Sequence, residues 1–347
     1  MTRGAEVAIA TNGVEVQYTA PVSVQRTGPI MRQTGAISTV KPIRRVIGTS
    51  DLSVFPLAMS GNVFGWTADD ATTNRILDAY ASHGGNFIDT ADSYAAGRSE
   101  TMIGNWMRSR RNRSQITIAT KVGKNADNPG LKARVLTKAV EASLMRLGTD
   151  HIDLLYLHID DEDVAFEETL LAVDELIRAG KVRYFGASDH TGNRLIEARI
   201  ASAQLGVAQM VALQNQYSLM HRSGFEGDLA RVAAQQGLGV MPRFALASGF
   251  LSGKYRHKTD LAKHARGSEA AKHLGRRGLR VLTCLDSVAE AHDTSVASVA
   301  LAWLLTKPNV VAPVVSASNA EQVAELASAP RLILTRHQVA DLDRASA

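Results

Sequence analysis

Cysteine, aromatic side chains and long apolar runs are what this 347-residue chain has least of. Its single cysteine, Cys284, cannot form a disulfide within the chain, which fits a reducing compartment and a cytoplasmic location. Cys284 falls in the apolar stretch Val281-Leu282-Thr283-Cys284-Leu285, so it reads as a buried structural thiol rather than a nucleophile. No apolar run reaches the roughly 18 residues of a membrane-crossing helix, so no membrane partner is expected. Arg3 is followed by Glu6 with no continuous apolar segment behind them, unlike a secretory leader. Aromatics make up 5% of the chain, and a nucleic-acid face interleaves them with basic residues. The net charge is +5, and the densest basic run is Arg108, Arg110, Arg111 and Arg113. That run sits between a helix and the next strand, so it reads as a solvated junction and no nucleic-acid partner is expected.

What is present points to a large, layered core. Apolar residues form 45% of the chain and charged ones 21%. Residues 1–40 are rich in Thr, Gly, Val and Gln without periodic patterning, and are expected to be a flexible extension. From residue 41 to residue 347 short apolar runs alternate with amphipathic stretches. The runs are Val54 to Met59, Phe87-Ile88, Ile116 to Thr120, Ile152 to Leu157, Val182 to Ala187, Met210 to Leu213, Leu238 to Met241 and Val310 to Val315. Near-continuous apolar strands are covered on both faces. Between them, Phe166, Leu170, Val173 and Ile177 fall on one helical face, and Gly180 is placed to end that helix in the left-handed conformation. Ile76, Leu77 and Tyr80, followed by Gly84-Gly85, behave alike. Alternation of this kind predicts an α/β protein with a single (β/α)8 TIM barrel, whose chemistry gathers at the C-terminal ends of its strands.

Four polar residues are candidates for that mouth. Asp89 ends Asn86-Phe87-Ile88-Asp89, Tyr94 follows five residues on, Lys121 ends the third run and His158 ends the fourth. A carboxylate, a phenol, an amine and an imidazole together suit proton donation to a carbonyl. The surrounding motifs resemble those of the aldo-keto reductase family: Gly85-Asn86-Phe87-Ile88-Asp89-Thr90-Ala91-Asp92-Ser93-Tyr94, Ala119-Thr120-Lys121-Val122-Gly123, Asp153-Leu154-Leu155-Tyr156-Leu157-His158 and Gly180 to Ser188. The resemblance runs from about residue 43 to the end.

It implies reduction of an aldehyde or ketone by hydride from NADPH, with NADH as the alternative, and a small carbonyl compound as substrate. Tyr94 would be the general acid, Lys121 would lower its pKa, Asp89 would hold Lys121, and His158 would orient the carbonyl. No Gly-x-Gly-x-x-Gly follows the first strand, in keeping with the family. Ser188 and Gln214 would hold the carboxamide, with Asp189 where the family has Asn. Arg243-Phe244 stands where the family has Tyr-Ser. The segment from Ala245 through Leu246, Ala247, Gly249, Leu251 and Gly253 to Lys254 resembles the loop over the pyrophosphate, where glycines let backbone N–H groups approach phosphate. Ser316, Ser318, Gln322 and Glu325 match the adenosine end, with Ser318 where a cation commonly stands. Gly61, Asn62 and Asp89 complete the cofactor set. Two rival functions compete: a Schiff-base lyase using Lys121, and a non-catalytic barrel subunit that senses the cofactor. Oligomeric state is not legible in the chain.

Overall fold

The computed structural model describes residues 43–347, so the expectation for residues 1–40 lies outside the described residues. Eight parallel strands form one curled sheet: β1 (Ala58–Ser60), β2 (Phe87–Asp89), β3 (Thr117–Val122), β4 (Ile152–Leu157), β5 (Val182–Ser188), β6 (Ala212–Gln214), β7 (Gly239–Val240) and β8 (Val314–Val315). From β2 to β7 each strand pairs with its predecessor, and β8 pairs with β1 through Val314 opposite Ala58. Between β7 and β8 the ring is joined by Val311 N to Val240 O and Val314 N to Pro242 O, both 2.8 Å. This is the predicted (β/α)8 barrel.

The first apolar run divides differently from the expectation. Val54 does not continue into β1 but pairs, antiparallel, opposite Arg45 in a short hairpin. Ile47, Leu52 and Val54 of that hairpin pack with Phe87, Leu154, Tyr156, Met241 and Val311, so the hairpin fills the N-terminal end of the barrel. An apolar run that plugs a barrel and one that lines it have the same composition. The hairpin also provides for two carbonyls beside it: the Arg45 guanidinium donates to Val310 O and Leu305 O.

Helices α1 (Asp70–Ser82), α2 (Arg98–Arg110), α3 (Ala133–Leu147), α4 (Phe166–Arg178), α5 (Gly192–Leu205) and α6 (Asp228–Gln235) follow the first six strands. Gly180 adopts φ +73 just beyond α4, as the sequence predicts. After β7 come a five-residue α7 (Gly267–Ala271), α8 (Arg276–Ala291) and α9 (Val296–Leu305); α10 (Ala320–Ser328) and α11 (Arg336–Ser346) follow β8. The apolar cluster between sheet and helices includes Tyr80, Trp106, Phe185, Leu285 and Trp303. Cys284 lies on α8, half-buried, and burial pushes its thiol up, which leaves it a weak nucleophile. No helix among the described residues is long and apolar enough to cross a membrane.

The basic junction is less solvated than its composition implies. Arg110 pairs with Asp78, but Arg113 turns inward and donates to Ile116 O and His151 O at 2.9 Å, while pairing with Asp153. Its role there is to tie the N-terminal ends of β3 and β4.

Candidate active site

All four candidate residues meet at the C-terminal mouth. β2 delivers Asp89, after which the chain turns back within Thr90–Gly97. Ala95 and Ala96 take left-handed φ values of 50 and 55 in that turn, a costly conformation for residues with a Cβ. The turn is fixed by Thr90 N to Ala119 O (2.8 Å) and Asp92 N to Lys121 O (3.0 Å). It brings Tyr94 back over β3, with Lys121 Nζ 5.1 Å from the centre of its ring. His158, immediately past β4, donates its backbone N–H to Val122 O and lies edge-on to Tyr94, ring centres 6.2 Å apart.

Lys121 is 1% exposed, a cation deep in the protein. Its ammonium donates to Asp89 Oδ2 at 2.7 Å and Thr90 O at 2.8 Å. The other Asp89 oxygen accepts Gln214 Nε2 at 2.8 Å. Burial works to strip the Lys121 charge, yet Asp89 and Tyr94 beside it outweigh burial and hold its pKa above the ordinary lysine value. A lysine kept cationic is a poor Schiff-base nucleophile, which counts against the lyase reading.

Tyr94 departs from expectation. Lys121 does pull its pKa down, but burial of the phenol is the larger effect and Asp89 adds to it, so the net direction is upward. His158 is pushed down to about 2, first by burial and then by Lys121, Lys124 and Arg243. Its imidazole is therefore neutral, and Nδ1 is buried without a hydrogen-bond partner.

These side chains open into a cavity of about 660 Å³ that runs from Tyr94 and His158 to Ser318 and Glu325. Of the cofactor candidates, Asn62, Asp189, Gln214, Arg243, Phe244 and Ala245 line it, as do Leu246, Gly249 and Lys254. Ser316, Ser318, Gln322 and Glu325 line its far end. Gly61, Ser188, Ala247, Leu251 and Gly253 do not form its wall. Gly61 has another use: a Cβ there would stand 2.4 Å from Ser99 Oγ, which donates to Gly61 O. Leu251 is core. Gly253 caps a 3-10 turn at φ 78. Gln214 is committed to Asp89 through its amide N–H groups, leaving its carbonyl side for any ligand.

The cavity suits an extended dinucleotide. It joins the polar tetrad to the N-terminus of α10, where Asn319 caps Gln322 N. Asn62 Oδ1, on the cavity wall, is buried without a partner, so a polar ligand would satisfy it. Asp189 and Arg243 are joined, with Arg243 Nε and Nη2 donating to Asp189 Oδ1 at 2.9 and 2.7 Å. The Arg243 guanidinium lies 4.9 Å from the Phe244 ring centre. Two departures from the family pattern thus compensate each other: the acid in place of Asn pairs with the base in place of Tyr. Sequence reasoning missed Lys124, which lines the mouth 3.6 Å from Asp189; Ser248, within the loop matched to the pyrophosphate, donates to Glu269 of α7. Lys124 lies three residues past Lys121 and was findable as the next polar residue beyond the strand. Arg266 also lines the cavity, its guanidinium 5.9 Å from the Trp66 ring, and lies in a loop whose path composition does not encode.

A closed parallel barrel with a buried acid–amine pair, a phenol and a neutral imidazole at its C-terminal mouth is the arrangement of a barrel oxidoreductase. The aldo/keto reductase family model matches residues 57–347, and the chain belongs to that family. It is 30% identical to a norsolorinic acid reductase of Aspergillus flavus, over 88% of this chain and 82% of that protein. It is 31% identical to an aldo-keto reductase of Aspergillus calidoustus, covering 85% and 79%. It is also 31% identical to a probable voltage-gated potassium channel subunit beta of Arabidopsis thaliana, covering 80% and 88%.

Proposed function

We propose that the chain reduces an aldehyde or ketone with hydride from NADPH, with Tyr94 as the proton donor. The observation that carries this reading is the Lys121 ammonium, held by Asp89 at 2.7 Å and facing the Tyr94 ring at the cavity mouth. Hydride, which no side chain can supply, would come from a nicotinamide held in this cavity. Tyr94 donates its proton to the substrate oxygen as charge develops there. Lys121, cationic and fixed, favours the resulting phenolate; Asp89 and Thr90 O fix Lys121. Neutral His158 presents a ring nitrogen to the carbonyl oxygen and orients it. The carbonyl side of Gln214 suits the carboxamide, Lys254 the pyrophosphate, and Ser316, Ser318, Gln322 and Glu325 the adenosine end.

The test is cofactor oxidation with NADPH and NADH over aromatic aldehydes, cyclic ketones and sugar aldehydes. Turnover that disappears in Tyr94→Phe supports the reading. A second reading, a cofactor-sensing subunit, draws on the similarity to channel subunits. Tight cofactor binding with no oxidation of the cofactor by any carbonyl compound would favour it.

A further inference from the structure

Behind Lys121 lies a second carboxyl pair that the reduction mechanism leaves unused. Asp92 is 1% exposed and Glu100 is 0% exposed. Glu100 is fully provided for: Oε1 accepts Thr120 Oγ1 at 2.5 Å and Oε2 accepts Arg146 Nε at 2.7 Å. Asp92 has no such side-chain support: both of its carboxyl oxygens are buried without a well-formed hydrogen bond, and the one donor acting on them is the Ser93 backbone N–H. A buried carboxylate with so little support is costly to keep ionised. Three charged groups act on it: Glu100 from α2, Arg146 from α3 and Lys121 from β3. Arg146 is already bonded to Glu100, so of the two acids Asp92 is the one left to carry a proton.

Its backbone places that proton close to the chemistry. Asp92 N donates to Lys121 O, Asn125 Nδ2 donates to Asp92 O at 2.7 Å, and Tyr94 follows two residues later. We propose that Asp92 is a positioning residue that holds a proton behind the Lys121–Tyr94 couple, and that its ionisation, rather than that of His158, sets how proton donation by Tyr94 depends on pH. This inference rests on Tyr94 being the acid. While Asp92 is protonated, Lys121 faces one carboxylate, Asp89. Once Asp92 loses its proton to solvent, a second negative charge acts on Lys121 and weakens its support of the Tyr94 phenolate. Tyr94 then becomes a poorer acid. Burial, with Glu100 adding to it, raises the Asp92 carboxyl to about 7, inside the working range of an enzyme. His158, pushed down to about 2, stays neutral throughout that range.

The experiment has two arms. The first is the pH profile of kcat for carbonyl reduction in wild type, Asp92→Asn and His158→Gln. Wild type should fall roughly three- to ten-fold between about pH 6 and 8.5; Asp92→Asn should lose that step, and His158→Gln should keep it at lower absolute rate. Asp92→Asn lowering activity equally at every pH would show a purely structural role and overturn the proposal, as would a step that vanishes with His158. The second arm needs no variant. In wild-type protein carrying 13C in its aspartate carboxyls, one signal should titrate between about pH 6 and 8. No aspartate signal moving in that window overturns the proposal even if Asp92→Asn fails to fold. Full activity in Tyr94→Phe would instead sink the reading of Tyr94, leaving the carboxyl titration intact and separating the two failures.

Discussion

Lys121 keeps its charge where burial works to remove it, because Asp89 and Thr90 O are fixed before any ligand arrives. Replacing it by Met removes the cation and strands Asp89, and with it the support of the Tyr94 phenolate. The expected result for Lys121→Met is a lower kcat and a pH inflection of Tyr94 displaced upward; unchanged inflections would remove its electrostatic role. Tyr94→Phe deletes the proposed proton donor and should cut kcat roughly 10²- to 10⁴-fold with cofactor affinity within about three-fold, measured by fluorescence titration. His158 carries a stability consequence. Its folded-state value, about 2, lies below the ordinary 6.5, so between those pH values the folded chain binds fewer protons than the unfolded one. Its contribution is present above about 6.5 and is lost as pH falls towards 2. Urea unfolding across pH 4 to 7 should therefore show a shallower acid loss in His158→Gln than in wild type. Equal slopes would mean that the ring is not held neutral.

The elements divide the molecule into a stabilising end and a chemical end. At the N-terminal end Asp153 of β4 accepts Ile118 N and Arg183 Nη1, both at 2.9 Å, and pairs with Arg113. Removing it leaves the Ile118 amide without its acceptor and takes one of several partners from Arg113, which keeps Ile116 O and His151 O, and from Arg183, which keeps Asp51. Asp153→Ala should cost roughly 1–3 kcal/mol and lower Tm by about 2–12 °C. kcat/KM at 25 °C should stay within about three-fold, since nothing there reaches the mouth; a large loss of activity with little loss of Tm would contradict that division. Strands were legible because runs such as β4, from Ile152 to Leu157, are apolar but for a single polar residue, Asp153, and bounded by polar residues. Val54 was not, because an apolar residue in the plugging hairpin and one in a barrel strand bury against the same neighbours. The tetrad was legible because Asp89, Lys121 and His158 each interrupt or follow such a run. The net direction at Tyr94 was not, since it depends on burial, which spacing does not reveal.

At the scale of the whole molecule the cavity joins three pieces far apart in sequence: the tetrad, the segment from Arg243 to Lys254, and the start of α10. The proposed preference for NADPH depends on that last piece. Ser318 is a hydroxyl there, and its backbone N–H is already donated to Gln322 Oε1 at 2.8 Å. A phosphate would thus meet no cation at Ser318, although the α10 N-terminus still favours negative charge by about 1 kcal/mol. Arg266 and Lys254 also line the cavity, but from the segment after β7, whose course the sequence does not disclose. A charge-assisted hydrogen bond contributes about 1.5–3 kcal/mol, so its absence at Ser318 costs roughly 10- to 100-fold in discrimination. The expected outcome is a wild type that prefers NADPH over NADH modestly, and a Ser318→Arg variant with a sharper, more salt-sensitive preference. The measurement is kcat/KM for both cofactors at two salt concentrations. Discrimination already above about a thousand-fold in wild type would show that another cation reads the phosphate. Arg266→Ala would then identify it, by erasing that preference while leaving kcat/KM for NADH in place.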